Sequence, residues 1–159
     1  MSLEPANACG RKLKIILLED DPLLCHFFEG IIRDWRKDVD LLTFENGDEV
    51  LRELSRSQPD LLITDAIHPG MDGGGIVCKL AQKPTHCAVL WTSGGSDFAP
   101  TSFFTRLRIE VLPKPFGRDA FREKLNLLLG SENIPVLGVV PFVQNRPNAG
   151  DGQGSPARQ

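Results

Sequence analysis

The chain has 159 residues, 41% of them hydrophobic and 25% charged, which suits one domain with a proper buried core. Its formal net charge of −3 at pH 7 argues against nucleic acid as a partner of the whole chain. No apolar run approaches the roughly 18 residues of a membrane span. The start, Met1-Ser2-Leu3-Glu4-Pro5, has neither the charged nor the apolar region of a secretory signal, so the expected location is cytoplasmic with no membrane partner.

Residues 1–11 read as an irregular leader. Residues 12–18 form a buried strand, and Asp21-Pro22 opens a helix, with an acidic cap before proline at the first helical position. That helix turns Leu23, Leu24, Phe27, Phe28, Ile31, Ile32 and Trp35 to one face. A second strand covers 39–44. Asn46-Gly47-Asp48 caps a second helix over 49–57, and residues 60–65 make a third strand. Gly73-Gly74-Gly75 leads to a helix over 76–82, and 87–92 is a fourth strand. A weak helix is expected over 101–107 and a fifth strand over 109–112. A last helix runs to Leu129 and is closed by Gly130. Residues 131–159 read as a C-terminal arm, apolar over 134–143, followed by a Pro-, Gly-, Asn- and Gln-rich tail of disordered composition.

Strands that are continuous apolar runs are buried on both faces, which requires a parallel sheet covered by helices. The expected fold is therefore α/β: a doubly wound five-stranded parallel sheet, order 2-1-3-4-5, with helices on both faces and right-handed crossovers. The ligand crevice of such a sheet lies at the C-terminal strand ends, where strands one and three diverge. Glu19-Asp20-Asp21 and Asp65 fall there, and Lys114 ends strand five. Crowded carboxylates need a cation. Mg²⁺ prefers hard oxygen ligands and commonly sits beside phosphate, and a rim lysine suits a phosphoryl oxygen. The set fits phosphoryl transfer, with an aspartate able to act as nucleophile.

The cysteines, Cys9, Cys25, Cys78 and Cys87, form no CxxC pair, and His26, His68 and His86 complete no zinc pattern. Cys25, Cys78 and Cys87 are expected as reduced buried thiols, and His68 as a loop side chain. Asp72-Gly73 reads as turn chemistry.

Five segments carry a resemblance in order and spacing: Lys14-Ile15-Ile16-Leu17-Leu18-Glu19-Asp20-Asp21-Pro22, Leu61-Leu62-Ile63-Thr64-Asp65, Pro69-Gly70-Met71-Asp72-Gly73, Trp91-Thr92-Ser93-Gly94 and Leu112-Pro113-Lys114-Pro115-Phe116. Over 12–130 the chain resembles the receiver domain of two-component response regulators, a flavodoxin-like fold. The resemblance implies that Asp65 takes a phosphoryl group from the phosphohistidine of a sensor histidine kinase or a histidine phosphotransfer protein. It implies Mg²⁺, with Mn²⁺ as a substitute, on Glu19, Asp20, Asp65 and the carbonyl of Ile67, and a phosphoryl contact from Lys114. The switch hydroxyl is Thr92 by its interval to Lys114, or Ser93 by the glycine that follows it; the second is favoured. Such a domain is a phosphoacceptor rather than an enzyme with a separate substrate. It signals to a downstream protein, with no direct nucleic-acid contact.

Three departures stand out. Val111 occupies a place that is usually aromatic. His68 stands where the family often has Met. Apolar Ile67 follows the acceptor by two residues, which implies slow to moderate autodephosphorylation. Two other readings compete: a receiver-like interaction module independent of phosphorylation, and a receiver fragment of a hybrid histidine kinase. A metal-dependent phosphohydrolase would want an acid at Ile67. The 29 residues after Gly130 are expected to hold no DNA-binding module.

Overall fold

Apolar strands build the protein outward from its central sheet. The computed structural model describes residues 11–94 and 107–130. In chain order these form β1 (Leu13–Leu18), α1 (Pro22–Trp35), β2 (Val39–Phe44), α2 (Gly47–Arg56), β3 (Leu61–Thr64), α3 (Gly73–Ala81), β4 (Ala88–Ser93), β5 (Ile109–Pro113) and α4 (Arg118–Leu129). The strands form one sheet in the order β2-β1-β3-β4-β5, every neighbouring pair parallel. The expected topology holds. Most of the leader, residues 101–106 of the weak helix and the 131–159 arm lie outside the described residues.

Strand alternation splits the interior into two layers. Ile15, Leu17, Ile63 and Leu90 face Phe28 of α1 and Phe121 of α4. Ile16, Leu18, Leu62 and Val89 face Val50 of α2 and Ile76 of α3. Each fully buried aliphatic or aromatic side chain contributes about 1.5–3 kcal/mol relative to exposure. In the first layer Phe28 lies 5.7 Å from Phe116 and 5.0 Å from Phe121, ring centre to ring centre. That cluster seats the segment immediately after Lys114. Among the described residues no helix is long and apolar enough to cross a membrane.

Helix starts depend on their caps. Asp21 accepts hydrogen bonds from the N–H groups of Leu23 (2.8 Å) and Leu24 (3.4 Å), and Pro22 follows at the first helical position. Leu23 is not part of the buried face. It is 82% exposed, because it lies in the first turn, beyond the reach of the sheet. Two helices begin earlier than their apolar pattern indicated. α2 starts at Gly47, capped by Asn46, whose Oδ1 accepts from Asp48 N–H at 2.8 Å. α3 starts at Gly73, and Asp72 Oδ1 takes the Gly75 N–H at 2.7 Å. The Asp72-Gly73 pair is thus a helix cap, which offsets the conformational cost of three glycines in the first turn. Gly130 ends α4 in extended backbone at φ −61°, not in a left-handed cap. A Cβ there would lie 2.3 Å from the Asn126 carbonyl oxygen, so close packing explains the glycine.

The opposite end of the sheet holds an ion cluster that sequence inspection did not single out. Asp60 is buried, accepts from Lys14 N–H at 2.8 Å and pairs with Arg11 at 2.6 Å and His86 at 3.3 Å. The Lys14 ammonium reaches Glu53 at 2.6 Å. These groups tie β1 to α2 and to the start of β3. Cysteine burial is uneven: Cys87 is buried, Cys25 is partly buried and Cys78 is exposed on α3. The expectation of three buried thiols fails at Cys78 because it falls on the outer stripe of the helix.

Candidate acidic site at the strand ends

The C-terminal edge of the sheet brings together the residues that the sequence put at strand ends. Asp65 sits one residue beyond β3, and Glu19 one residue beyond β1, its hydrogen-bonded neighbour. Lys114 follows β5 directly, and its peptide bond to Pro115 is cis. The Lys114 Nζ donates to Asp65 Oδ2 at 2.6 Å and lies 3.9 Å from Glu19 Oε2. The other Asp65 oxygen, Oδ1, accepts from the Ala66 N–H. One ammonium thus bridges carboxylates from two strands.

Glu19 is 3% exposed. Burial raises its pKa above the usual carboxylate range, against the opposing effects of the Asp21 N–H at 3.1 Å and the Lys114 charge. Asp20, by contrast, keeps 49% of its side chain exposed. Ile67, two residues past Asp65, is 78% exposed, a large apolar side chain left on the rim.

His68 is the largest surprise. Its side chain is fully buried, not displayed from the loop. Nε2 accepts the Asp65 backbone N–H at 3.0 Å and lies 3.2 Å from Thr64 Oγ1, while Nδ1 faces Asp20 Oδ1 at 3.5 Å. A histidine three residues after a strand-end acid was the available signal. Sequence alone gave no direction for its ring.

Thr92 and Ser93, the two candidate hydroxyls, are both buried, at 1% and 4% exposure. Thr92 Oγ1 donates to the carbonyl of Thr64 at 3.4 Å. Register pairs Thr64 with Trp91 and Thr92 with Leu112, so Thr92 is next in line to Asp65 on the face that Leu112 occupies. Ser93 carries the Lys114 N–H on its carbonyl at 2.6 Å, which fastens the lysine's backbone to β4.

A divalent cation wants hard oxygen donors, and Glu19, Asp20 and Asp65 supply carboxylates at two adjacent strand ends. The donor set fits Mg²⁺ in kind. As the side chains stand, no three acidic, histidine or cysteine groups among the described residues converge to hold a metal. Asp65 is turned to Lys114, Glu19 to the Asp21 N–H and Asp20 toward His68. A cation held by Asp65 would have to compete with the Lys114 ammonium for that carboxylate.

The family profile described as "Response regulator receiver domain" matches residues 15–126. The chain belongs to the response regulator receiver domain family of two-component systems. The DNA-binding transcriptional regulator NtrC of Escherichia coli (strain K12) is 38% identical over 118 residues, covering 65% of this chain and 25% of NtrC. NtrC of Klebsiella pneumoniae is 37% identical over 118 residues, with 65% and 25% covered. The receiver chain thus spans about a quarter of the length of these relatives. Among solved structures, the response regulatory domain of protein mrkE from Klebsiella pneumoniae has a TM-score of 0.63 at 19% identity, covering 73% of this chain and 94% of that one. The receiver domain of sensor histidine kinase PA1611 from Pseudomonas aeruginosa has a TM-score of 0.63 at 18% identity, covering 75% and 98%. That structure has a magnesium ion coordinated in its active-site cleft. At these identities the likeness establishes the fold of the receiver.

Proposed function

We propose that Asp65 is the phosphoacceptor of this receiver and takes its phosphoryl group from a phosphohistidine on a sensor histidine kinase or a histidine phosphotransfer protein. The observation that carries this reading is the 2.6 Å contact between Lys114 and Asp65, with Glu19 alongside, at the crevice where a parallel sheet of this order binds ligands. An Asp65 carboxylate oxygen attacks phosphorus. The O–P bond forms as the P–N bond to imidazole breaks, and the electron pair leaves on the ring nitrogen. Lys114 then has a phosphoryl oxygen to hold in place of a carboxylate oxygen.

Glu19, Asp20, Asp65 and the Ile67 carbonyl would hold Mg²⁺, or Mn²⁺ in its stead. The bound cation would neutralise charge on the transferring group. The hydroxyl for a phosphoryl contact is Thr92 on this reading, in place of Ser93. Strand alternation and the bond from Thr92 to the Thr64 carbonyl support that choice. The downstream signal passes by phosphorylation-dependent protein contact. NtrC is a DNA-binding regulator, so an expectation of no nucleic-acid partner is not extended to any larger protein of this kind.

The test is the intact mass of the chain after treatment with acetyl phosphate and MgCl₂. The wild type is expected to gain one phosphoryl group, about 80 Da, and Asp65→Asn none. A wild type that gains nothing and also fails to bind beryllofluoride would overturn the proposal in favour of an interaction module independent of phosphorylation.

A further inference from the structure

We infer that His68 is a positioning residue that couples the backbone of Asp65 to the carboxylate of Asp20. The inference rests on the reading of Asp20 as a cation ligand beside a phosphoacceptor at Asp65.

A backbone N–H can only donate, so the ring atom that meets Asp65 N–H at 3.0 Å must present a lone pair. Nε2 is therefore the acceptor, and the ring proton of the neutral imidazole sits on Nδ1. Nδ1 is buried with no hydrogen-bond partner among the described residues, and it faces Asp20 Oδ1 at 3.5 Å. A buried donor left unpaired is destabilising, and an apolar side chain of similar size in the same place would avoid that penalty. The cost is offset if Asp20 closes onto Nδ1 when its carboxylate is ordered.

Asp20 is half-exposed and has room to move, whereas the imidazole is fully buried and fixed through Asp65 N–H. The ring is thus the rigid member of the pair. It offers its N–H to one carboxylate oxygen and leaves the other for a cation, the usual role of an outer-shell donor to a ligating carboxylate. The same tautomer excludes His68 as a metal ligand here. Its one lone pair is committed to Asp65 N–H, and its other nitrogen carries a proton. The backbone beside the ring is tied down in turn, because Thr64 Oγ1, 3.2 Å from Nε2, donates its proton to the Asp65 carbonyl at 3.0 Å.

The experiment follows MgCl₂ titrations of the full chain by amide NMR shifts, with acetyl phosphate uptake by intact mass measured separately. His68→Met keeps bulk and removes both ring nitrogens, and is expected to weaken Mg²⁺ about 10-fold. His68→Gln retains an acceptor and a donor, and is expected to recover to within about 3-fold of wild type by the same donor logic. In an Asp20→Asn background, His68→Met should add no further loss, the signature of a coupled pair. Equal Mg²⁺ affinity in wild type and His68→Met would overturn the inference while leaving the phosphoacceptor reading intact. So would equal losses in Met and Gln, which would assign the residue to packing. A wild type that shows neither saturable Mg²⁺ shifts nor phosphoryl uptake would remove both. Should the variants not fold, ¹⁵N shifts of the His68 ring in the wild type decide. A proton on Nδ1 is expected, and a proton on Nε2 would overturn the inference.

Discussion

Lys114 and Asp65, 49 residues apart in sequence, meet at 2.6 Å because β5 and β3 end at the same edge of the sheet. The pair is partly buried, with 24% and 21% of the side chains exposed. Replacing Lys114 with Ala frees Asp65 Oδ2 from its present partner. Mg²⁺ affinity should hold or rise, since a competing ammonium is gone. Phosphoryl uptake should fall on the order of 10²-fold, as when one preorganised charge-stabilising donor is removed. Mg²⁺ titration beside intact-mass time courses measures both. A Lys114→Ala variant phosphorylated at the wild-type rate would show that the lysine is only a surface partner.

Two glutamates predict opposite pH trends in metal-free buffer. Glu19 is raised above its ordinary value by burial. Its contribution to stability is full below the unfolded carboxylate value, about 4.3, and is lost as pH rises through the higher folded value. Glu19→Gln should therefore raise the melting temperature at pH 7 and make little difference at pH 4. Glu53 is lowered by its hydrogen bonds from Lys14 and Ser57. Its contribution is present above the unfolded value and lost as pH falls through the depressed one. Glu53→Gln should cost about 1 kcal/mol at pH 7 and fade in acid. Thermal melts of both variants across pH 3–8 would expose any reversal of these signs.

The thiols should separate by rate. Burial pushes the Cys87 thiol far above its ordinary value and raises Cys25 more modestly, whereas Cys78 stands in solvent on α3. Among these three, Cys78 is expected to react first with iodoacetamide and Cys87 only on unfolding. Peptide mapping after timed labelling would read the order directly, and early labelling of Cys87 would contradict its placement in the second layer.

If Asp65 is the phosphoacceptor, Ile67 should bear on a different rate. Its exposed apolar side chain offers no hydrogen bond to an attacking water beside Asp65. The phosphorylated chain should decay over minutes or longer at neutral pH. Ile67→Asn, which adds a donor and an acceptor able to hold that water, should shorten the lifetime. A wild-type lifetime of seconds would count against the role assigned to this side chain.

The sheet was legible because its strands are unbroken apolar runs and its crossovers leave little choice of order. Asp65, Glu19 and Lys114 were legible as polar residues placed where those runs stop. What escaped notice depended on direction rather than identity. The ring of His68 turns inward, Leu23 turns outward and Cys78 lies on the outer stripe of α3. Helix starts at Gly47 and Gly73 were missed for a related reason. Glycine carries no periodicity signal, and side-chain caps from Asn46 and Asp72 decide where those helices begin. Trp91 stands opposite Val111 in the register and is buried in the second layer. The aromatic bulk of this region therefore comes from β4.

Gly73 leaves no slack between α3 and the backbone of Asp65. A Cβ on Gly73 would stand 1.9 Å from the Asp65 carbonyl oxygen, and the Gly73 N–H is bonded to Ala66 O at 3.1 Å. Helix and strand end touch backbone to backbone, and the Thr64 hydroxyl, 3.0 Å from the same Cβ position, closes the contact from the side. A displacement of Asp65 toward Gly73 would therefore meet the backbone of α3 at once. The far end of that helix, near Ala81, would feel at the surface what begins at the carboxylate.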